Sequence, residues 1–237
     1  ESLKGNIVVA FADTLFKADF TLDTTTDGII WVSQIDDPSA FGVVKLDDDN
    51  VITEFVEKPE TFVSDLAIIG IYYFKDGEFL SNELQYLIDN DIKEKGEFQL
   101  TNALENMKQK GTKFKTGAVS EWLDCGNKNA TVFSNQRVLE FEKDTNSVSD
   151  KAIIENSIII HPCHIAENAI IKNSVIGPHV SVGNNTVITN CIIKNSIIQN
   201  DSNLTVVTIA DSMIGNHATY IGKNKDLSIG DYTEITE

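Results

Sequence analysis

The chain is nearly devoid of arginine: Arg137 is the single one among 237 residues. Recognition of an extended phosphate backbone leans on arginine forks, so this scarcity argues against it. Positive charge is sparse altogether, with 19 Lys and Arg against 36 Asp and Glu and a net charge of −17. That excess repels phosphate backbones and anionic head groups, so neither nucleic acid nor a membrane surface is an expected partner. Long apolar runs are lacking too. The stretch Ala67–Phe74 falls far short of the roughly 20 residues a spanning helix needs. The opening Glu-Ser-Leu-Lys-Gly contains no signal-peptide core. Cys125, Cys163 and Cys191 are odd in number, widely spaced and in no CxxC pair. They argue against a disulfide framework and for a reducing, cytoplasmic setting. The first residue is not methionine, so the expectation is that a leader was removed or a longer protein was cut.

What is present reads as an ordinary globular chain, 41% hydrophobic and 23% charged, long enough to bury a core without metal or disulfide staples. It divides into two rhythms, residues 1–146 and 147–237. In the first, Asn6–Ala12 and Gly28–Ile35 are apolar runs between turn-prone residues and read as buried strands. Phe41–Leu46 and Val51–Phe55 flank Asp47-Asp48-Asp49-Asn50 as a hairpin. Ala67–Phe74 is a further strand. Helices are expected over Asp76–Asn90 and Phe98–Lys110, the second ended by Gly111 as a C′ residue. A strand closes at Trp122-Leu123-Asp124, and a connecting helix covers Asn127–Glu142. Alternating strands and helices predict an α/β domain.

From about residue 147 the helical pattern disappears and a period of 17 takes over. Ile153-Ile154 recurs as Ile170-Ile171 and Val187-Ile188, and Ile158-Ile159 as Val175-Ile176 and Ile192-Ile193. A fixed short period marks a solenoid. Inward aliphatics at Ile165, Ile171, Ile176, Val182, Ile188 and Ile193 predict a three-faced prism, with small residues such as Ala169, Ser174, Thr186 and Cys191 in its corners. The period loosens over Gln199–Thr208, where a protruding loop is expected. Residues 150–237 hold nine acids and five lysines, so the first part carries −13 of the net charge.

Chemistry-bearing residues cluster at strand ends. Asp13 follows the first strand and Asp124 ends a later one, at the edge where α/β sheets receive ligands. Two such carboxylates could share one Mg²⁺ with substrate oxygens. A helix cap or a turn residue is the plainer alternative for each, and it stays open. Glu57-Lys58-Pro59 offers a hydroxyl acceptor and a phosphate-neutralising cation.

Taken in order, Phe41-Gly42-Val43-Val44, Glu57-Lys58-Pro59, Ala67–Tyr72, Lys95-Gly96-Glu97 and Trp122-Leu123-Asp124-Cys125-Gly126 resemble the sugar-1-phosphate nucleotidyltransferases. The solenoid resembles the hexapeptide-repeat, left-handed parallel β-helix carried by long glucose-1-phosphate thymidylyltransferase-like members. The resemblance implies an incomplete Rossmann-like nucleotidyltransferase domain followed by that β-helix. It implies that Asp13 and Asp124 bind the catalytic Mg²⁺ and that Gly42 lets the sugar approach. It further implies that Glu57 accepts from sugar hydroxyls, and that Lys58 and Lys95 contact phosphate. The reaction it implies joins a sugar 1-phosphate to a nucleoside triphosphate with release of pyrophosphate. Ala12 and Cys125 depart from the family's usual glycine and threonine, and Lys95 stands where arginine is common.

No segment reads as the Gly-rich GxGxxxR loop whose N–H groups would hold the triphosphate, and Asp13 lies much nearer the start than the family pattern puts it. The expectation is that the nucleotide-binding portion is missing and that this polypeptide alone does not turn over. Two other readings remain: an acyltransferase using a solenoid histidine (His161, His164, His179 or His217) as general base, or a non-catalytic assembly module. Bare solenoid faces and ends predict a homo-oligomer.

Overall fold

The computed structural model describes residues 3–19, 22–94, 96–145 and 147–236. Two compact units emerge, Glu1–Gly126 and Asn127–Glu237. The first is a mixed sheet with two helices. Its strands are β1 (Ile7–Ala10), β2 (Thr14–Lys17), β3 (Gly28–Gln34), β4 (Gly42–Leu46), β5 (Ile52–Glu57) and β6 (Leu66–Phe74). Helices α1 (Gly77–Asp89) and α2 (Leu100–Gln109) precede β7 (Phe114–Ala118) and β8 (Glu121–Asp124). The main sheet runs β5-β4-β6-β3-β7, with β1 added antiparallel along the Ile71–Phe74 end of β6. Only the β3–β7 pair among its described ladders is parallel.

Period-two alternation makes both faces of this sheet apolar. Ile30 and Val32 of β3 point with Phe74 toward Leu80 of α1 and Leu104 and Met107 of α2. Ile29 and Trp31 point the other way, onto Ile69, Ile71 and Tyr73. Asp76 caps α1 by accepting from the Phe79 N–H at 2.9 Å. Gly111, at φ +107°, follows α2 as the spacing predicted. The hairpin turn is also as expected: the Asp47 carboxylate accepts from the N–H groups of Asp49 and Val51, both at 2.9 Å. The first strand differs from expectation. It is half-exposed rather than buried: Ile7 and Val9 pack against the core, while Val8 on the other face is 58% exposed.

β2 and β8 form a separate antiparallel ribbon that sets Thr14 opposite Asp124. Near it, β6 bulges: Ile69, Gly70 and Ile71 together face Trp31, because Ile30 pairs with Tyr72 and Val32 with Ile68. Gly70 adopts φ +81° there, and a Cβ would lie 3.0 Å from the Phe11 ring. Glycine is the residue that meets both demands.

The second unit opens with α3 (Lys128–Phe141), capped by Asn127, whose side chain accepts from the Ala130 N–H at 3.0 Å. A parallel β-solenoid follows, with faces of five, four and four short strands. Ile165, Ile171, Ile176, Val182, Ile188 and Ile193 are all fully buried in its interior. Asparagine dominates because the corners are left-handed: Asn156, Asn173 and Asn190 have φ of 46°, 49° and 56°, a region asparagine tolerates better than most residues. Their amides also bond from coil to coil, as in Asn156 Nδ2 to Asn173 Oδ1 at 2.7 Å. Corner hydroxyls do the same, with the Cys191 N–H donating to Ser174 Oγ at 3.0 Å. The expected loop over Gln199–Thr208 is absent. Val175 pairs with Ile192 but Val180 pairs with Ser196, so the repeat shortens from 17 to 16 residues at the corner before Ser196 and then continues as regular coils. Loss of one corner residue leaves inward and outward positions in phase, so no protrusion is needed.

Cys163 and Cys191 are buried wall and corner residues, and all three cysteines are free. Burial pushes both thiols above the usual range, which makes them poor nucleophiles. No helix among the described residues is long and apolar enough to cross a membrane.

Candidate functional site

In the first unit, a cavity of about 430 Å³ opens where β2, β4, β5, β6, β8 and the start of α2 meet. Asp13, Gly42, Glu57, Lys58 and Asp124 all line it. Lys95, the remaining expected contact, lies outside the described residues. Five positions spread over more than a hundred residues of sequence are thus brought to one concavity.

Each is held by a local device. Gly42 and Glu57 face each other across the β4–β5 hairpin. One Glu57 oxygen, Oε2, accepts from the Thr101 hydroxyl at 3.0 Å, and Thr101 is buried in the first turn of α2. Lys58 departs from the strand at φ +41°, with its N–H donating to the Phe41 carbonyl at 3.1 Å. A left-handed lysine before a proline is strained backbone, and such strain gathers at functional sites. Asp124 Oδ1 accepts from the Gly126 N–H at 3.0 Å, and the Cys125 N–H donates to the Asp13 carbonyl at 2.8 Å. The two carboxylate-bearing residues therefore belong to one hydrogen-bonded turn-and-ribbon.

The walls are aromatic. Trp122 meets Phe41 edge-on at 5.0 Å between ring centres, and Phe11 packs on Tyr72 at 5.5 Å. Tyr72 is almost wholly buried, and burial first, then the Glu57 charge, push its phenol well above the usual range. It stays a neutral O–H at any working pH. Hard carboxylate oxygens suit Mg²⁺, which commonly takes one or two carboxylates and completes its shell with water and substrate phosphate. Among the described residues no group of three or more His, Cys, Asp or Glu is placed to hold a metal ion, so Asp13 and Asp124 would need water and substrate phosphate to complete an Mg²⁺ shell.

Tyr72, Thr101, Gln99 and Thr14 line the same cavity without having been singled out from sequence. Tyr72 carried a signal, as the residue after Gly70-Ile71 in an apolar strand. Thr101 and Thr14 carried none, because an isolated threonine has no spacing to read.

In the second unit His179 and His217 are held apart by different partners. His179 Nε2 lies 2.6 Å from Glu140 Oε1 of α3, while His217 lies on a different corner, 3.8 Å from Asp201. Asn135 of α3 accepts from the Ser181 hydroxyl at 2.6 Å. His179 thus joins Ser181 in tying α3 to the coil wall.

Comparison with known proteins agrees with both units. The family model described as nucleotidyl transferase matches residues 3–140, and that of the GlmU-like C-terminal hexapeptide matches residues 144–212. Glucose-1-phosphate thymidylyltransferase of Streptomyces antibioticus is 31% identical over 67% of this chain and 42% of its own length. The bifunctional protein GlmU of Methanocaldococcus jannaschii is 31% identical over 65% of this chain and 35% of its own. The low-salt glycan biosynthesis nucleotidyltransferase Agl11 of Haloferax volcanii is 29% identical over 54% and 36%. A solved structure, the nucleoside-diphosphate-sugar pyrophosphorylase of Vibrio cholerae RC9, is 22% identical over 54% of this chain and 55% of that one, with a TM-score of 0.48. The chain spans about two-fifths of the length of the curated relatives it matches, 42% and 36% in two of them. Since the first model covers more than half of the residues and the second begins where the solenoid does, the chain belongs to the nucleotidyl transferase family, in a form that carries a hexapeptide-repeat solenoid.

Proposed function

We propose that the cavity receives a sugar 1-phosphate and that the chain supplies the sugar-phosphate half of a nucleotidyltransferase site. The observation that carries this reading is the convergence of Gly42, Glu57, Lys58, Asp13 and Asp124 on one concavity. Glu57, with Oε2 engaged by Thr101, keeps Oε1 as an acceptor for sugar hydroxyls. Gly42 leaves room for the ring beside it. Lys58 supplies a cation to the anionic phosphate. Trp122 and Phe41 offer an aromatic wall to the apolar face of the sugar.

In the proposed reaction, a phosphate oxygen of the sugar 1-phosphate forms a bond to the α-phosphorus of a nucleoside triphosphate. The bond from that phosphorus to the bridging oxygen breaks, and pyrophosphate leaves with the electron pair. The attacking phosphate is already ionised, so no enzyme nucleophile or general base is required. The protein's share is orientation and charge neutralisation. Asp13 and Asp124 would hold Mg²⁺, which when bound would neutralise charge on phosphate oxygens. In a chain of net charge −17, gathering two anionic substrates depends on such cations.

We propose also that copies associate through one solenoid face. Its outward positions include Ile158, Val175 and Ile192, stacked in register, with Ile158 and Ile192 61% and 53% exposed. No acid occupies an outward position in the strands of that face, so strongly anionic copies could meet there without close like-charge contacts.

The direct test is calorimetric titration of the 237-residue polypeptide with glucose 1-phosphate in Mg²⁺, with acetyl-CoA as the competing probe. Saturable binding of the sugar phosphate, weakened at least about tenfold in Lys58→Ala and Glu57→Gln, is expected. Binding of acetyl-CoA with none of glucose 1-phosphate would overturn the reading in favour of acyl transfer. Pyrophosphate release by this polypeptide alone is not expected, since it contains no Gly-rich GxGxxxR loop.

A further inference from the structure

Thr14 begins the strand that pairs with β8, and its side chain ties that ribbon to β6 and to the Trp122 ring. Its hydroxyl donates to the Ile69 carbonyl at 2.6 Å and accepts from the Trp122 indole N–H at 3.2 Å. Ile69 opens the bulge of β6, and Trp122 lies on β8, two residues before Asp124. One oxygen therefore links β2, β6 and β8 beside Asp13.

Backbone bonds converge on the same point. The Phe11 N–H donates to the Gly70 carbonyl at 2.9 Å, the Thr14 N–H to the Phe11 carbonyl at 3.4 Å, and the Cys125 N–H to the Asp13 carbonyl at 2.8 Å. These would survive any side chain at position 14. The link through the hydroxyl would not, and it alone among these bonds reaches the Trp122 ring. That ring packs edge-on against Phe41, the residue before Gly42. The indole orientation thus couples the Asp13 turn to the wall on which the sugar is proposed to rest.

We infer that Thr14 is a positioning residue, which sets the turn of Asp13 against β8 and locks the Trp122 ring, so that the two carboxylates and the aromatic wall keep one relative geometry. This rests on the sugar-phosphate reading of the cavity. The hydroxyl's donor role and one acceptor role are already satisfied within the protein, so its action is through Asp13 and Trp122. Such sites demand placement to within about 0.5 Å, and a displacement of about 1 Å can cost on the order of a hundredfold.

The test compares Thr14→Val, which keeps the shape and removes both hydrogen bonds, with Thr14→Ser, which keeps the hydroxyl. Two readouts are taken on the full chain. Hydrogen exchange of the Trp122 indole N–H, followed by NMR, reports the link itself. Paramagnetic relaxation by Mn²⁺ in the presence of glucose 1-phosphate reports the site. Thr14→Val is expected to expose the indole proton to exchange and weaken Mn²⁺ and glucose 1-phosphate binding at least about tenfold, with both restored by Thr14→Ser. Unchanged binding in Thr14→Val despite fast indole exchange would overturn the inference, and so would Thr14→Ser behaving like Thr14→Val. Should Thr14→Val fail to fold, Trp122→Phe removes the same bond from the other side, and unchanged Mn²⁺ binding in it overturns the inference equally. Absence of any binding by the wild-type chain is a separate outcome: it sinks the sugar-phosphate reading, and the positioning role with it.

Discussion

Replacing Gly42 by alanine puts a single methyl group where three walls of the cavity meet. The added Cβ would lie 3.0 Å from Glu57 Oε2, 3.1 Å from Thr101 Cγ2 and 3.3 Å from Ile68 Cδ1. Two of those neighbours are joined by the Thr101–Glu57 hydrogen bond of 3.0 Å, so relief by a few tenths of an ångström must disturb it. Gly42 lies inside β4 and has no left-handed backbone to protect. Lower unfolded-state entropy favours alanine by roughly 0.4–1 kcal/mol. Overpacking opposes it by about 1–3 kcal/mol. The net is a loss of about 0–2.6 kcal/mol, or a fall in melting temperature of no more than about 10 °C for a chain of this size. Binding should suffer more. A hydrogen bond from a sugar hydroxyl to the Glu57 carboxylate is worth about 1.5–3 kcal/mol, which corresponds to a loss of roughly 10- to 150-fold in affinity. Calorimetry with glucose 1-phosphate, alongside a thermal melt, separates the two effects. Glu57→Gln should give a comparable loss, and the double variant should lose little more than either single one, because both act on one contact. Wild-type affinity in Gly42→Ala would refute the reasoning, since it would mean that the Glu57 rotamer is not part of the binding surface.

Glu140 is held below the usual carboxylate range by its hydrogen bond to His179, which outweighs the opposing desolvation, with further help from the charges of His179, Lys143 and Arg137. A depressed carboxylate contributes stability that is present above its unfolded pKa and lost as pH falls through its folded one. The wild-type melting temperature should therefore fall more steeply than that of Glu140→Gln on acidification from about pH 5 to about pH 3; equal slopes would show that the Glu140–His179 contact does not anchor α3. On the solenoid face, Ile192→Asp should shift sedimentation of the chain to the monomer without lowering its melting temperature, and an unchanged assembly would move the interface elsewhere.

Most elements were legible because their cause is local. Periodicity gave α1 and α2, the Asp-rich turn gave the hairpin, and the repeat gave the inward aliphatics Ile165, Ile171, Ile176, Val182, Ile188 and Ile193, although not Val180, which is buried beside them. Asn127–Glu142 was legible as a helix, but its packing against the strands at Val180–Val182 and Ser196–Ile198 was not, since a helix pattern does not say which surface it will cover. β2 and β7 escaped for a related reason. Thr14–Lys17 is a strand because it pairs with Glu121–Asp124, more than a hundred residues later, and its own sequence leaves Leu15 and Phe16 exposed. Phe114–Ala118 carries a lysine and a glycine and takes its form from lying parallel to β3.

The cavity divides in the same way. Charged residues at strand ends were candidates because they stand in motifs that resemble a known family, although a turn role was the plainer alternative and Asp124 does accept from the Gly126 N–H. Thr101 and Thr14 are ordinary threonines until the fold gives them partners, Glu57 for one and Trp122 for the other. Their hydroxyls face inward, so hydrogen-bond geometry alone distinguishes them from any buried threonine. The groups proposed to touch substrate were named from the sequence, and the groups proposed to aim them were not. Mutations at the first kind should remove a contact and weaken binding with the rest of the site unmoved, whereas mutations at the second should leave a folded chain whose carboxylates and aromatic wall are all present but no longer aligned. Thr14→Val and Lys58→Ala would then differ in kind: the valine variant should change the exchange of an indole proton while it weakens binding, and the alanine variant should weaken binding while that proton stays protected.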